Sequence, residues 1–194
     1  MVPTPCDIAH TFGWGLSYAH VVDPLVRDAR DDDALDLIAL VARCWSEYPG
    51  CVLDVHGEEP ELLEPATAFA RHGGRLWVAE DRGRVVGSIG VKPGTGDLAS
   101  LVKLYVDPPA RGRGLGERLV GVVEREVLAL GLGQVELWTD TRFTHAHRLY
   151  ERLGYDRRPE TRELHDLSRT VEYRFTKALR APSAASNRAV RRAG

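Results

Sequence analysis

The stretch Pro109-Ala110-Arg111-Gly112-Arg113-Gly114-Leu115-Gly116 constrains this chain more than any other. A β-rich run, Leu98 to Val106, leads into it. After it Leu115, Leu119, Val122, Val123, Val127 and Leu130 recur at helical spacing until Gly131 ends the pattern. The stretch is therefore a turn from strand to helix, holding three glycines on alternate positions and two arginines. Each glycine carries an entropic cost on folding, which a plain solvent-facing turn has no reason to bear three times. A backbone that must approach an anion does have a reason. The first N–H groups of a helix are unpaired and partly positive, and glycines remove the Cβ atoms that would hold an anion off. Arg111 and Arg113 can add charge-assisted hydrogen bonds.

Around this turn the sequence predicts an α+β, mixed α/β arrangement. Residues 1–20 show no periodicity and read as an N-terminal extension. Val21 to Arg30 reads as a first strand, with Pro24 marking an edge. Asp31-Asp32-Asp33 supplies a helix start, and Ala34, Leu37, Ile38, Val41 and Trp45 follow at helical spacing. A second helix is expected from Glu61 to His72, stopped by Gly73-Gly74. Arg75–Glu80 and Val85–Val91 form a hairpin around Asp81-Arg82-Gly83-Arg84. Past the glycine turn and its helix come a strand at Val135–Trp138, a helix over Thr144–Leu153 and a last strand at Val171–Phe175. From Ala178 the tail carries four arginines and no acid, a composition that does not pack. The expected domain is thus 21–177, with 178–194 as a basic tail.

Spacing separates three phosphate-binding patterns. A P-loop needs Lys-Ser or Lys-Thr after its glycines, and none is present. A dinucleotide fingerprint needs Gly-x-Gly-x-x-Gly with an acid about 20 residues on. Here Glu117 stands where the third glycine belongs, although Glu136 falls near the required distance. Too little chain follows Glu136 to complete a doubly wound domain, so a nicotinamide-dependent oxidoreductase is the weakest reading. The third pattern, Arg111-x-x-Gly114-x-Gly116, resembles the pyrophosphate-binding turn of the GNAT N-acetyltransferase superfamily. Leu104-Tyr105-Val106-Asp107-Pro108 leading into it resembles the strand of that signature, and Ala146-His147-Arg148-Leu149-Tyr150-Glu151-Arg152-Leu153-Gly154-Tyr155 resembles the second signature, in the right order.

The resemblance implies a central mixed, largely antiparallel sheet flanked by helices, acetyl-CoA as cosubstrate and an amine as acceptor. It assigns cofactor contact to Leu104, Tyr105 and Val106 through main chain, and to Arg111, Gly112, Arg113, Gly114, Leu115 and Gly116 at the pyrophosphate. It implies Tyr150 as the general acid for the leaving thiolate, since a phenol is a suitable donor to a thiolate. Asp140, after the strand ending at Trp138, is the candidate base, with Glu80, Asp97 and Glu136 as rivals. One position departs from the family: Phe143 stands where many relatives carry a cofactor-contacting Asn. That departure keeps a non-catalytic acyl-CoA binding module as the alternative to an enzyme.

Other features exclude more than they assign. The charge of −2, from 26 basic and 28 acidic side chains, points to neither nucleic acid nor a membrane surface. No apolar run of about 18 residues exists, nor a secretory start, so the expected compartment is the cytoplasm. Three cysteines, Cys6, Cys44 and Cys51, with no Cys-x-x-Cys pair, argue against a disulfide framework. His145 and His147 are two apart, pointing about 200° from each other on a helix, so no shared metal is expected. Trp45 to Asp54 is aromatic and acidic and would suit a cationic amine as a wall of the acceptor site. A monomer and a homodimer are both compatible with the sequence.

Overall fold

The structure, a computed structural model, describes residues 23–179. The expected N-terminal extension, 1–20, and the tail from residue 180 onward lie outside the described residues. Seven strands form one sheet in the order β1-β2-β3-β4-β5-β7-β6. In chain order the elements are β1 (Leu25–Asp28), α1 (Ala34–Trp45), α2 (Pro65–Arg71), β2 (Arg75–Asp81), β3 (Arg84–Pro93), β4 (Leu98–Val106), α3 (Leu115–Ala129), β5 (Gln134–Asp140), α4 (Thr144–Arg152), β6 (Asp156–Glu163) and β7 (Val171–Ala178). Every pairing is antiparallel except β4 with β5. This is the mixed, largely antiparallel α+β sheet that the sequence implied.

The helices bury their apolar stripes on both faces. Leu37, Leu40 and Val41 of α1 pack with Phe69 of α2 over Leu76, Val78 and Val85. Leu115, Leu119, Val123 and Val127 of α3 join Tyr150 of α4 over Leu101, Leu137 and Phe175. Full burial of such side chains contributes about 1.5–3 kcal/mol each. Among the described residues no helix is long and apolar enough to cross a membrane.

One expectation changes and another gains its bounds. The helix expected over Glu61 to His72 is divided into a 3-10 turn, Pro60–Leu62, and α2, Pro65–Arg71. Pro65 has no N–H to donate and biases Glu64 away from helical geometry, so the helix restarts with proline at its first turn. The region between α4 and the last strand, which the sequence marks only as irregular or paired β structure, holds β6 at 156–163, an exposed edge strand with no apolar residue except Pro159. It pairs with β7 across an irregularity between Arg157 and Thr161 that accommodates this proline.

Two departures from regular pairing open the sheet. β4 and β5 are paired only at Leu98–Gln134, Ala99–Val135 and Ser100–Glu136, and beyond those rungs they are no longer bonded to each other. In the same part of β4 the register against β3 shifts between Ser88 and Gly90. Lys103 there adopts φ 55°, a left-handed conformation uncommon for a side chain of this size.

Candidate active site

The loop after β4 folds as its composition demands. Gly112 and Gly114 take φ of 76° and 78°, where any other residue is strained. A Cβ at either would meet nothing within 4 Å, so the space in front of them is open. Gly116 is different: its Cβ would lie 3.0 Å from Leu149 Cδ2, so this glycine serves the packing of α3 against α4. Among the described residues, the backbone N–H groups of residues 112–117 have no hydrogen-bond partner. Six consecutive donors at a helix start, with open space at Gly112 and Gly114, fit a pyrophosphate.

Arg111 and Arg113 part company. Arg111 donates from Nε to the Val106 carbonyl at 2.9 Å and from Nη1 to Glu47 at 2.7 Å, which ties the loop to the end of α1. Arg113 is exposed and makes no ion pair with a described residue. A cavity of about 490 Å³ lies against this loop, lined by Leu104, Tyr105, Val106, Arg111, Gly112, Gly114, Leu115 and Gly116. Of the residues expected at the cofactor, Arg113 alone is not on its wall.

A second cavity, of about 730 Å³, occupies the opening between β4 and β5 and holds Tyr150 and Asp140 on its wall. The two share Trp45, Leu104, Tyr105, Phe143 and Ala146, so they meet where the strands separate. Phe143 packs at a tilt against Tyr48, ring centres 4.7 Å apart, and forms part of both walls.

Tyr150 is 4% exposed, packed against Tyr155 and Phe175, and its hydroxyl bonds to no described residue. Burial pushes its phenol well above the ordinary value, so the hydroxyl keeps its proton. Tyr105 is pushed up to about 12 by burial, and its oxygen accepts from Trp45 Nε1 at 3.3 Å. Asp140 is buried, but both its oxygens accept from the Arg142 guanidinium, the shortest contact being 2.6 Å. Of its rivals, Glu136 lines the same cavity while paired with Arg174, Glu80 pairs with Arg27, and Asp97 accepts from the Gly133 N–H at 2.6 Å.

His145 is exposed, whereas His147 turns inward with Nε2 at 2.9 Å from the Asp140 carbonyl, and burial lowers its pKa. Cys44 is buried beneath the Val106 carbonyl, and burial pushes its thiol up, which makes it a packing residue. The segment Trp45–Asp54 contributes aromatic wall rather than acid: Glu47 is spent on Arg111, and Asp54 accepts from Gly57 N in its own turn. Besides the foreseen Glu136 and Asp140, the acid comes from places that sequence reasoning passed over, namely Glu58, Glu59, Asp166 and Glu172. Lys103 is equally unforeseen, held between Glu59 and Glu61 under the cavity. Nothing in local pattern reports which loops will meet. Among the described residues no group of three or more His, Cys, Asp or Glu is placed to hold a metal ion.

Comparison with known proteins agrees with this geometry. The acetyltransferase (GNAT) family matches residues 36–155. An N-acetyltransferase, YjgM, of Escherichia coli (strain K12), itself uncharacterized, is 34% identical over 101 residues, covering 50% of this chain and 60% of its own length. A mycothiol acetyltransferase of Rhodococcus jostii is 40% identical over 82 residues, 42% of this chain and 26% of that protein. The chain therefore spans less than two thirds of either relative. An IAA acetyltransferase of Azospirillum brasilense is 30% identical over 138 residues, 70% of this chain and 88% of that protein. Among solved structures, a GNAT-family acetyltransferase of Staphylococcus aureus Mu50 superposes with a TM-score of 0.70 at 18% identity, over 80% of this chain and 99% of that one. The PaiA N-acetyltransferase of Thermoplasma acidophilum, solved with coenzyme A, gives 0.63 at 15% identity, over 81% of this chain and 99% of that one. At such identities the likeness is one of fold.

Proposed function

Because this chain belongs to the acetyltransferase (GNAT) family, we propose that it transfers the acetyl group of acetyl-CoA to a primary amine, a cationic one by preference, with both substrates bound together. One observation carries the reading: an anion-ready cavity and a carboxylate-walled cavity share a wall at the point where β4 and β5 separate. The N–H groups of residues 112–117 would hold the pyrophosphate, with Gly112 and Gly114 keeping the approach clear. Beyond Ser100, β4 has no β5 partner, so the main chain of Leu104 to Val106 is where an extended pantetheine would pair. Acetyl-CoA supplies an acetyl thioester activated toward nucleophiles.

The proton movements follow from the side chains. A neutral amine forms the new C–N bond, the C–S bond breaks, and the departing sulfur takes a proton from Tyr150, whose phenol burial keeps intact. The amine gives up its surplus proton to water in the cavity. Asp140, the carboxylate expected to receive it, would have to leave Arg142 to do so directly.

Release of free thiol from acetyl-CoA, measured over a panel of amines and peptides, tests the reading. Tyr150→Phe should lower kcat by about 10²–10⁴-fold while calorimetric affinity for coenzyme A is retained. Turnover unchanged across the pH range would remove Tyr150 from the mechanism. Cofactor binding with no release from any acceptor would leave a non-catalytic acyl-CoA binding module.

A further inference from the structure

The carboxylates on the acceptor cavity are not equivalent. Glu59 pairs with Lys103, Glu136 with Arg174, Asp140 with Arg142, and Glu172 with Arg162. Glu58 and Asp166, on the same wall, pair with no Lys or Arg among the described residues. Each is steadied by a single backbone donor: Glu58 Oε1 accepts from Leu167 N at 2.6 Å, and Asp166 Oδ1 from Thr170 N at 2.8 Å. Each keeps its other oxygen for a ligand.

These two residues come from separate loops that clasp one another. Val52 N donates to Ser168 Oγ at 2.9 Å, and that hydroxyl donates back to the Val52 carbonyl at 3.2 Å. Together with the Glu58–Leu167 bond, this holds the segment after α1 against the β6–β7 loop. Two negative charges are thus brought into one partly enclosed cavity without an ion pair of their own, since the nearby Arg142 guanidinium is held by both oxygens of Asp140; a bound cation relieves such an arrangement. The same cavity holds, on another element, the Tyr150 side chain, only 4% exposed, whose hydroxyl bonds to no described residue. Apolar Leu101, Val102 and Leu137 also line it. The cavity therefore offers a polar group on α4, apolar wall, and, on the clasped loops, two carboxylates that form no ion pair with a described residue.

We infer that the acceptor is a dicationic alkyl amine, whose reacting nitrogen lies toward Tyr150 while its second ammonium is held by Glu58 and Asp166. The methylene chain between them lies on Leu101, Val102 and Leu137. The inference rests on the acetyltransfer reading and narrows it. Glu58 and Asp166 act in specificity: they touch the acceptor away from the reacting atoms.

The test compares cadaverine with pentylamine, which differ by the second ammonium. Cadaverine should have the lower KM, by about tenfold or more at low salt, since a hydrogen bond to a charged group is worth roughly 1.5–3 kcal/mol. The advantage should shrink as salt is added. In Glu58→Gln/Asp166→Asn the ratio of kcat/KM for the two amines should fall toward one. Both replacements keep an oxygen for the Leu167 and Thr170 N–H groups, so the loops stay clasped, and coenzyme A calorimetry checks the fold. Equal KM values in the native protein, or a ratio unmoved by the double variant, would overturn the inference and leave acetyltransfer standing. If neither amine is acetylated, the wider acceptor panel decides acetyltransfer, and the subsite is read by binding instead. Calorimetry on the coenzyme A-loaded protein then decides: cadaverine binding that the double variant weakens supports the subsite, and its absence overturns it.

Discussion

At the scale of single residues, three glycines that look alike in the sequence do different things. Gly112 and Gly114 are glycine because of backbone geometry, and their open side leaves room for a phosphate. Gly116 is glycine because Leu149 stands 3.0 Å from where a Cβ would be. This gives a graded prediction at Gly114. Gly114→Ala meets no atom within 4 Å and loses only the left-handed preference, about 1–2 kcal/mol. Gly114→Glu adds a carboxylate where the pyrophosphate is expected. Calorimetric affinity for coenzyme A should therefore survive largely in the alanine variant and be lost in the glutamate one. Equal affinities in the two would remove the phosphate from this loop.

At the scale of elements, the decisive object is the irregular part of β4. Lys103 interrupts the strand in a left-handed conformation, and Ser88 Oγ donates to its carbonyl at 2.8 Å. Its ammonium lies between Glu59 and Glu61, at 3.1 Å from the latter, so the 3-10 turn before α2 is clamped to the bulge. Replacing one partner of a buried pair strands the other charges, at a cost of about 3–5 kcal/mol, so Lys103→Met should be destabilised by that order in urea melts. The pH dependence has a definite sign. Burial alone would raise the Glu61 carboxyl, but Lys103 and Lys92 outweigh it and hold it below the usual 4.5. Its folded value being the lower, its contribution is present above the unfolded value and lost as pH falls through the folded one. Without Lys103, burial acts with less opposition, so the stability gap between native protein and variant should narrow from about pH 7 to about pH 4. A constant gap would show that Lys103 and Glu61 are not coupled.

At the scale of the whole molecule, helices on both faces carry the fold, while the cofactor is expected in the gap where β4 and β5 lose their hydrogen bonds. Coenzyme A that fills this gap in the folded protein alone should stabilise it by mass action, about 2.7 kcal/mol at a hundredfold excess over Kd. A thermal melt with and without coenzyme A measures it, and an unchanged Tm would mean that the gap takes no cofactor.

What the sequence determined is what local chemistry writes into short windows. Periodicity placed α1, α3 and α4 and the β2–β3 hairpin. The turn at 109–116 was marked for the positive φ values and unpaired N–H groups that an anion site would use, because these are properties of a few consecutive residues. Pro65 was present in the sequence, yet its power to divide the second helix was outweighed there by the helical spacing around it. β6 was legible only as irregular or paired β structure without bounds, because an edge strand made of charged residues carries no hydrophobic alternation. Only the tertiary structure decided the rest. That Arg111 faces Glu47, that Asp140 is taken by Arg142, and that Glu58 and Asp166 share a cavity are facts about residues between 2 and 108 positions apart. Electrostatic partners are chosen by distance in space, and only the closing of the sheet and the clasping of its loops sets those distances.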